Sequence, residues 1–229
     1  MMLAGGVIVA AGRGERFGET NKILSIVAGR PMLAWSLDAF ENCADIREVV
    51  VVVGKHTRDD IQVLLATGWW SKVTSIVGGG DVRSVSVQRG VNALAEDIDI
   101  AVIHDAARPM LTPPDISRSA KGAFEHGAAI LAVPVSDTLK RVDTQQNVIA
   151  TIDRESVWAA QTPQAFRRSE LLQAFLTNGE LIATDEAMLF EKMGKPVRIV
   201  PGSRENLKVT MPEDLALADF LMRRRLDSL

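Results

Sequence analysis

A single cysteine, Cys43, stands among 229 residues. No internal disulfide can form, which excludes the stapled framework of a small secreted fold. The two signs of charge nearly balance: 26 Lys and Arg against 29 Asp and Glu give a net charge of -3. There is thus no broad basic field to hold nucleic acid through its phosphates, and any phosphate ligand must be met locally. The longest β-branched run, 49–53, is far too short to cross a bilayer. The opening residues lack the pattern of a secretory signal. The expectation is a soluble, cytoplasmic protein with neither membrane nor nucleic acid as partner. Internal repeats and low-complexity segments are missing too.

Two common phosphate motifs are also lacking. The apolar run 7–11 leads into Gly12-Arg13-Gly14-Glu15-Arg16-Phe17-Gly18. A Rossmann fingerprint needs a third glycine where Phe17 stands, and a P-loop needs Gly-Lys-Ser/Thr where the chain reads Gly18-Glu19-Thr20-Asn21-Lys22. What is present is a buried strand handing over to a glycine-rich loop with Arg13, Arg16 and Lys22 clustered on it. Such a backbone cradle with guanidinium and ammonium partners suits a polyphosphate.

At 47% hydrophobic content the chain can bury a sizeable core, and a single domain over 1–229 is expected. Pro31 starts a helix with Leu33, Leu37 and Phe40 on one face. The run 49–53 reads as a strand buried on both sides. Thr57-x-x-Asp60 resembles a capping box before a helix carrying Ile61, Leu64 and Leu65, and 73–77 is a third strand. Gly78-Gly79-Gly80 then precedes a helix with Val87, Val91 and Leu94. Strand 100–103 runs into His104-Asp105-Ala106-Ala107-Arg108-Pro109. Thr112 with Pro113 and Pro114 opens a helix that Gly127 ends, and 128–133 is another strand. The rhythm changes at 138–152, a β-hairpin with a polar turn, so 137–160 is expected to project as a lid or dimerisation arm. Helices near Ser169 and Thr184, a strand at 197–200, and a helix capped by Thr210-x-x-Glu213 with Leu215, Ala218 and Leu221 inward complete the pattern. The predicted class is α/β, a doubly wound, mostly parallel sheet with an inserted β-hairpin arm.

Ligands bind such sheets at the carboxyl ends of strands. The Gly12, Gly80 and Asp105 loops all fall on that edge, bringing phosphate donors, a glycine platform and a carboxylate into one crevice. The three histidines, His56, His104 and His126, have no hydrolase-type Ser/Asp context, and zinc-ligand spacing is absent. Cations, glycines and single carboxylates equip a site for positioning and charge neutralisation, hence for phosphoryl or nucleotidyl transfer. Asp105 could hold Mg²⁺ or a ribose hydroxyl. His104 is expected to be a packed, hydrogen-bonded residue, and Trp69 and Trp70 peripheral packing or a contact patch.

Taken in order, Ala10-Ala11-Gly12-x-Gly14-x-Arg16, Gly79-Gly80-x-x-Arg83-x-x-Ser86-Val87, Asp105-Ala106-Ala107-Arg108-Pro109, Asp137-Thr138-x-Lys140, Asp153-Arg154, Gln161-Thr162-Pro163-Gln164, Thr184-Asp185-Glu186 and Leu207-Lys208-Val209-Thr210 form a set. The set resembles the 2-C-methyl-D-erythritol 4-phosphate cytidylyltransferase family over nearly the whole chain. The resemblance implies a Rossmann-like nucleotidyltransferase fold and a Mg²⁺-dependent reaction of CTP with a polyol phosphate in non-mevalonate isoprenoid synthesis. It implies triphosphate on the backbone after Ala10, Ala11 and Gly12, with Arg16, Lys22 and Lys208 as catalytic cations. Cytosine would lie against Gly79, Gly80, Asp81 and Ser86. Asp105 and Arg108 would flank the reacting phosphates, and Thr162, Thr184 and Asp185 would line the sugar-phosphate side. The hairpin would be the arm of a homodimer, with Thr138 and Arg154 reaching the neighbouring subunit's phosphate. The family usually has Pro before the loop lysine; here Asn21 precedes Lys22 in a loop one residue shorter. Two other readings stay open: a ribitol-5-phosphate cytidylyltransferase, which shares the CTP loops, and a non-catalytic nucleotide-binding module.

Overall fold

A computed structural model describes residues 2–12, 22–178 and 183–228. The chain begins with β1 (Ala4–Ala10), then passes a 3-10 turn at Lys22–Leu24 and a small antiparallel pair, β2 (Ile26–Val27) and β3 (Arg30–Pro31). α1 (Met32–Glu41), β4 (Ile46–Val53), α2 (Arg58–Thr67), β5 (Val73–Gly78), α3 (Arg83–Asn92) and β6 (Ile100–Asp105) alternate as the apolar runs predicted. Next come α4 (Pro113–His126), β7 (Ala128–Pro134), the hairpin β8 (Leu139–Val142) and β9 (Val148–Ile152), and β10 (Trp158–Arg167). α5 (Arg168–Asn178), α6 (Ala187–Lys192), β11 (Arg198–Pro201) and α7 (Pro212–Asp227) complete the order.

The main sheet has seven strands in the order β11-β7-β10-β6-β1-β4-β5. Every neighbour is parallel except β10, which runs antiparallel to both β6 and β7. Alternate residues of each strand feed opposite faces. Ile8, Val49, Val51, Val53, Ile100 and Val102 pack with Leu33, Leu37, Ile61 and Ile116. Val7, Val50, Val52, Ala101 and Ile103 pack with Val87, Val91, Leu171 and Phe190 on the other side. Burial on both faces is why these strands read as unbroken Val/Ile runs rather than as alternating ones. Gly6 is needed for this packing, because a Cβ there would lie 2.5 Å from the Phe40 ring. A third cluster joins Val27 and Met32 to Met110, Val209, Ala218 and Met222, seating α7 against the β2–β3 turn.

β10 was not expected from the sequence. Pro163 interrupts its pattern, and the ladder to β7 breaks between Ala160 and Gln164, so 161–163 bulge out of it. The same ladder pairs Trp158–Ala160 with 132–134. These residues, expected in the arm of 137–160, therefore belong to the main sheet, and the separate hairpin is 139–152.

Two caps also differ from expectation. Thr57 precedes α2 without a side-chain cap and donates its hydroxyl to Gly54 O instead. At α7 the capping carboxylate is Asp214, one residue beyond Glu213. Its Oδ2 accepts from Thr210 N at 2.7 Å, Met211 N at 2.8 Å and Thr210 Oγ1 at 2.8 Å. Thr112 caps α4 as predicted, accepting from Asp115 N. Trp70 is buried and donates Nε1 to Asp38, whereas Trp69 is exposed.

Candidate active site

From β1 the chain winds outward to β4 and β5, then crosses back so that β6 pairs on the other side of β1. The crevice at such a reversal, outside the carboxyl ends of the strands, is where open α/β sheets take ligands. A cavity of about 700 Å³ lies there. Ala10, Ala11 and Gly12 form its wall at the end of β1, and Asp105 and Ala107 at the end of β6. Gly80, Asp81, Arg83 and Ser86 approach from the start of α3, and Lys22, Lys208 and Thr210 from the segments next to α7. Arg13, Gly14, Arg16 and Asn21 lie outside the described residues.

Gly79 packs just behind the wall. Its N–H donates to Val53 O at 2.8 Å, and a Cβ would fall 2.3 Å from Ala11 Cβ and 2.9 Å from Ser86 Oγ. A side chain there would wedge the β5 exit away from β1. Ser86 fixes the loop beside it, accepting from Gly80 N at 3.0 Å and donating to Val82 O.

The charged centre is a chain of four residues. Lys208 Nζ donates to Asp105 Oδ2 at 2.7 Å, and Arg83 Nε donates to Asp105 Oδ1 at 3.0 Å. Arg83 Nη1 lies 2.8 Å from both oxygens of Glu186, which is 1% exposed. Burial opposes the ionised Asp105, but Arg83 and Lys208 outweigh it and hold the carboxyl well below the usual carboxylate range. Burial also works against charged Arg83, and here Glu186 and Asp105 prevail and raise its pKa. In Glu186 burial wins over Arg83, and the carboxyl is pushed up.

The residues expected on the sugar-phosphate side are arranged differently. Thr162 is 4% exposed; its hydroxyl accepts from Asp105 N at 3.1 Å and pairs with His104 Nδ1 at 3.0 Å. It supports Asp105 from behind and is not on the wall of this cavity. Arg108 donates Nη1 to Asn206 O at 2.7 Å, and Asn206 Nδ2 donates to Thr162 O at 2.8 Å. Asp185 caps α6 through Met188 N and accepts from Gln164 Nε2 at 2.8 Å. Thr184 is exposed, as is Thr138, and Arg154 donates to Ser136 O at the root of the hairpin. None of these six residues lines the cavity that holds Lys208 and Asp105. His104 is fully buried, with Nε2 against Arg108 O, and burial, against the pull of Asp105, lowers its pKa to about 4. It is a neutral packing residue, as the sequence suggested.

Sequence reasoning left out Arg83 and Glu186, although both stand inside motifs that it quoted. An arginine at the start of a helix reads as solvated until the fold shows two carboxylates converging on it. Asp214 was also left out; its hydrogen bonds to Met211 N and Thr210 N, with the charge of Lys22 adding to them, lower its pKa.

Among the described residues no group of three or more His, Cys, Asp or Glu could hold a metal ion. Asp81 and Asp105 are the carboxylates on the cavity wall. This donor set does not form a protein cage, but it fits Mg²⁺ carried by a nucleotide, which takes one or two carboxylates and completes its shell with phosphate oxygens and water. No helix among the described residues is long and apolar enough to cross a membrane.

A sequence profile described as 2-C-methyl-D-erythritol 4-phosphate cytidylyltransferase matches residues 5–224. The chain is 44% identical over 223 residues to a protein of that name from Desulforamulus reducens, covering 96% of this chain and 95% of the relative. It is 43% identical over 224 residues to one from Pelotomaculum thermopropionicum, covering 96% and 94%. Among solved structures it resembles a 4-diphosphocytidyl-2C-methyl-D-erythritol synthase from Anaerococcus prevotii, with a TM-score of 0.85 at 27% identity, covering 97% of this chain and 96% of that one.

Proposed function

The chain belongs to the 2-C-methyl-D-erythritol 4-phosphate cytidylyltransferase family, and we propose that the cavity at the ends of β1 and β6 is where CTP and the polyol phosphate meet. The reaction joins CTP and 2-C-methyl-D-erythritol 4-phosphate into 4-diphosphocytidyl-2-C-methyl-D-erythritol and pyrophosphate, a step of non-mevalonate isoprenoid synthesis. An oxygen of the polyol monophosphate attacks the α-phosphorus of CTP, and the bond from that phosphorus to the bridging oxygen of pyrophosphate breaks. A monoester's second pKa is about 6, so the nucleophile is already ionised at neutral pH and no general base is required. That agrees with His104, next to Asp105 in the chain, being buried and neutral.

What the protein must supply is alignment and neutralisation of charge. In this reading the backbone of Ala10, Ala11 and Gly12 cradles the triphosphate. Lys22 and Lys208, with Arg16 of the opening loop, neutralise the charge that builds on the α-phosphate and the leaving group. Gly79, Gly80, Asp81 and Ser86 receive the cytosine. Asp105 would hold Mg²⁺, whose chemistry is to screen the phosphate oxygens. Arg108, Thr162, Thr184 and Asp185 serve the polyol phosphate, and Thr138 and Arg154 reach it from a second subunit of a homodimer. The hairpin supports the dimer reading, because Val142, Val148 and Ile149 expose apolar side chains on it.

The observation that carries the proposal is the convergence of Ala11, Gly12, Gly80, Ser86, Asp105 and Lys208 on one cavity from elements far apart in sequence. The test is pyrophosphate release from CTP, Mg²⁺ and a panel of polyol phosphates. Release with methylerythritol phosphate is expected. Release with ribitol phosphate alone would reassign the substrate, and CTP binding without turnover on any polyol phosphate would leave a binding module.

A further inference from the structure

Glu186 stands out among the buried groups that this mechanism leaves idle. It is 1% exposed and does not line the cavity, and its partner is Arg83, more than a hundred positions earlier in the chain. Buried ion pairs are weak devices for stability, because desolvation consumes most of their Coulomb attraction. A carboxylate kept in such a place calls for another account.

Arg83 is on the cavity wall but is not available to a phosphate. Nη1 is held by both oxygens of Glu186, while Nε and Nη2 each lie 3.0 Å from Asp105 Oδ1. Its planar fork therefore grips Oδ1 and leaves Oδ2 to Lys208. Thr162 secures the backbone of the same aspartate from behind. Two cations, Arg83 and Lys208, thus stand against two carboxyl groups, Glu186 and Asp105.

Resting on the cytidylyltransferase reading above, we infer that Glu186 is a positioning residue: through Arg83 it fixes which oxygen Asp105 turns toward Lys208 and the reacting phosphates. Without the Glu186 charge, Arg83 is free to rotate about its link to Asp105, and it can swing into the cavity as an extra cation. The nucleotide would still bind, but the carboxylate and Lys208 would no longer be held in register.

The test measures pyrophosphate release by the full chain with CTP, Mg²⁺ and methylerythritol phosphate. Glu186→Gln keeps the shape and removes the charge. It is expected to lower kcat by about tenfold or more, the scale of a small misplacement at a reacting centre, while KM for CTP changes by less than about twofold. Combined with Arg83→Gln, it should slow the enzyme no further than Arg83→Gln alone, because both act through one link. A kcat equal to the unmodified protein, or losses that multiply, would overturn the inference. If Glu186→Gln does not fold, Glu186→Asp carries the test: the charge stays, the reach shortens, and kcat should fall with the thermal midpoint kept. An unchanged kcat in that variant overturns the inference equally. No turnover by the unmodified protein would instead count against the cytidylyltransferase reading itself.

Discussion

On the proposed reading, the nucleotide side and the polyol side of this molecule are built in different ways. The first lies on consecutive βα units of the parallel half of the sheet, where each motif sits at the carboxyl end of its own strand and its residues share one cavity wall. The second is assembled around the antiparallel β10: Asn206 links Arg108 to Thr162 of that strand, and Asp185 is held by Gln164 of the same strand. On that reading one side would position its ligand by backbone geometry, the other by a polar network that needs every member in place.

His104 lies on the seam, bonded to both Thr162 and Arg108, so acid should test the network side most severely. Its pKa falls from 6.5 to about 4 in the folded protein, so below pH 6.5 the unfolded chain takes up a proton that the folded one refuses. Its contribution is intact above 6.5 and is lost as pH falls toward 4, about 3 kcal/mol in all. Urea unfolding at stepped pH should show this slope, and His104→Gln should flatten it.

Breaking the nucleotide side calls for Lys208→Ala. We expect kcat to drop about a hundredfold with the thermal midpoint little changed, read by pyrophosphate release and thermal unfolding; a near-normal rate would remove Lys208 from the machinery. Arg154→Ala addresses the other side and should raise KM for the polyol phosphate about tenfold while leaving CTP binding by calorimetry unaltered. At polyol phosphate well below KM, mixing the Arg154→Ala and Lys208→Ala variants should give a rate above the sum of the two alone if the site is shared between subunits, and no such gain despite subunit exchange would count against sharing. The smallest effect is at the cap of α7: Asp214→Ala should cost about 1 kcal/mol, measured by denaturant unfolding.

The same contrast explains what the sequence disclosed. Parallel strands buried on two faces announce themselves as runs such as Val49–Val53, and the loops that follow them inherit a place on the ligand edge. β10 gave no such signal, because its apolar residues are interrupted by Gln161, Thr162, Pro163 and Gln164, the stretch that supports Asp105. Arg83 and Glu186 stayed hidden for a different reason: an ion pair between residues so distant in sequence has no local pattern, and only the fold, which brings the start of α3 to the start of α6, creates it. Asp214 was missed by one position, since Thr210-x-x-Glu213 fits a capping box equally well on paper.

α7 is tied to the early part of the chain at two points: Asp219 Oδ1 accepts from Ala28 N at 2.7 Å, and Asp214 holds Thr210 beside Lys22 and Lys208. During synthesis β1, β4 and β6 can pair long before α7 exists. The turn at Ala28 and the lysine-bearing segments gain their α7 anchors only when it arrives. Nucleotide affinity should therefore appear abruptly and late in translation, after most of the sheet has formed, so that a chain arrested before residue 212 presents strands without a working mouth.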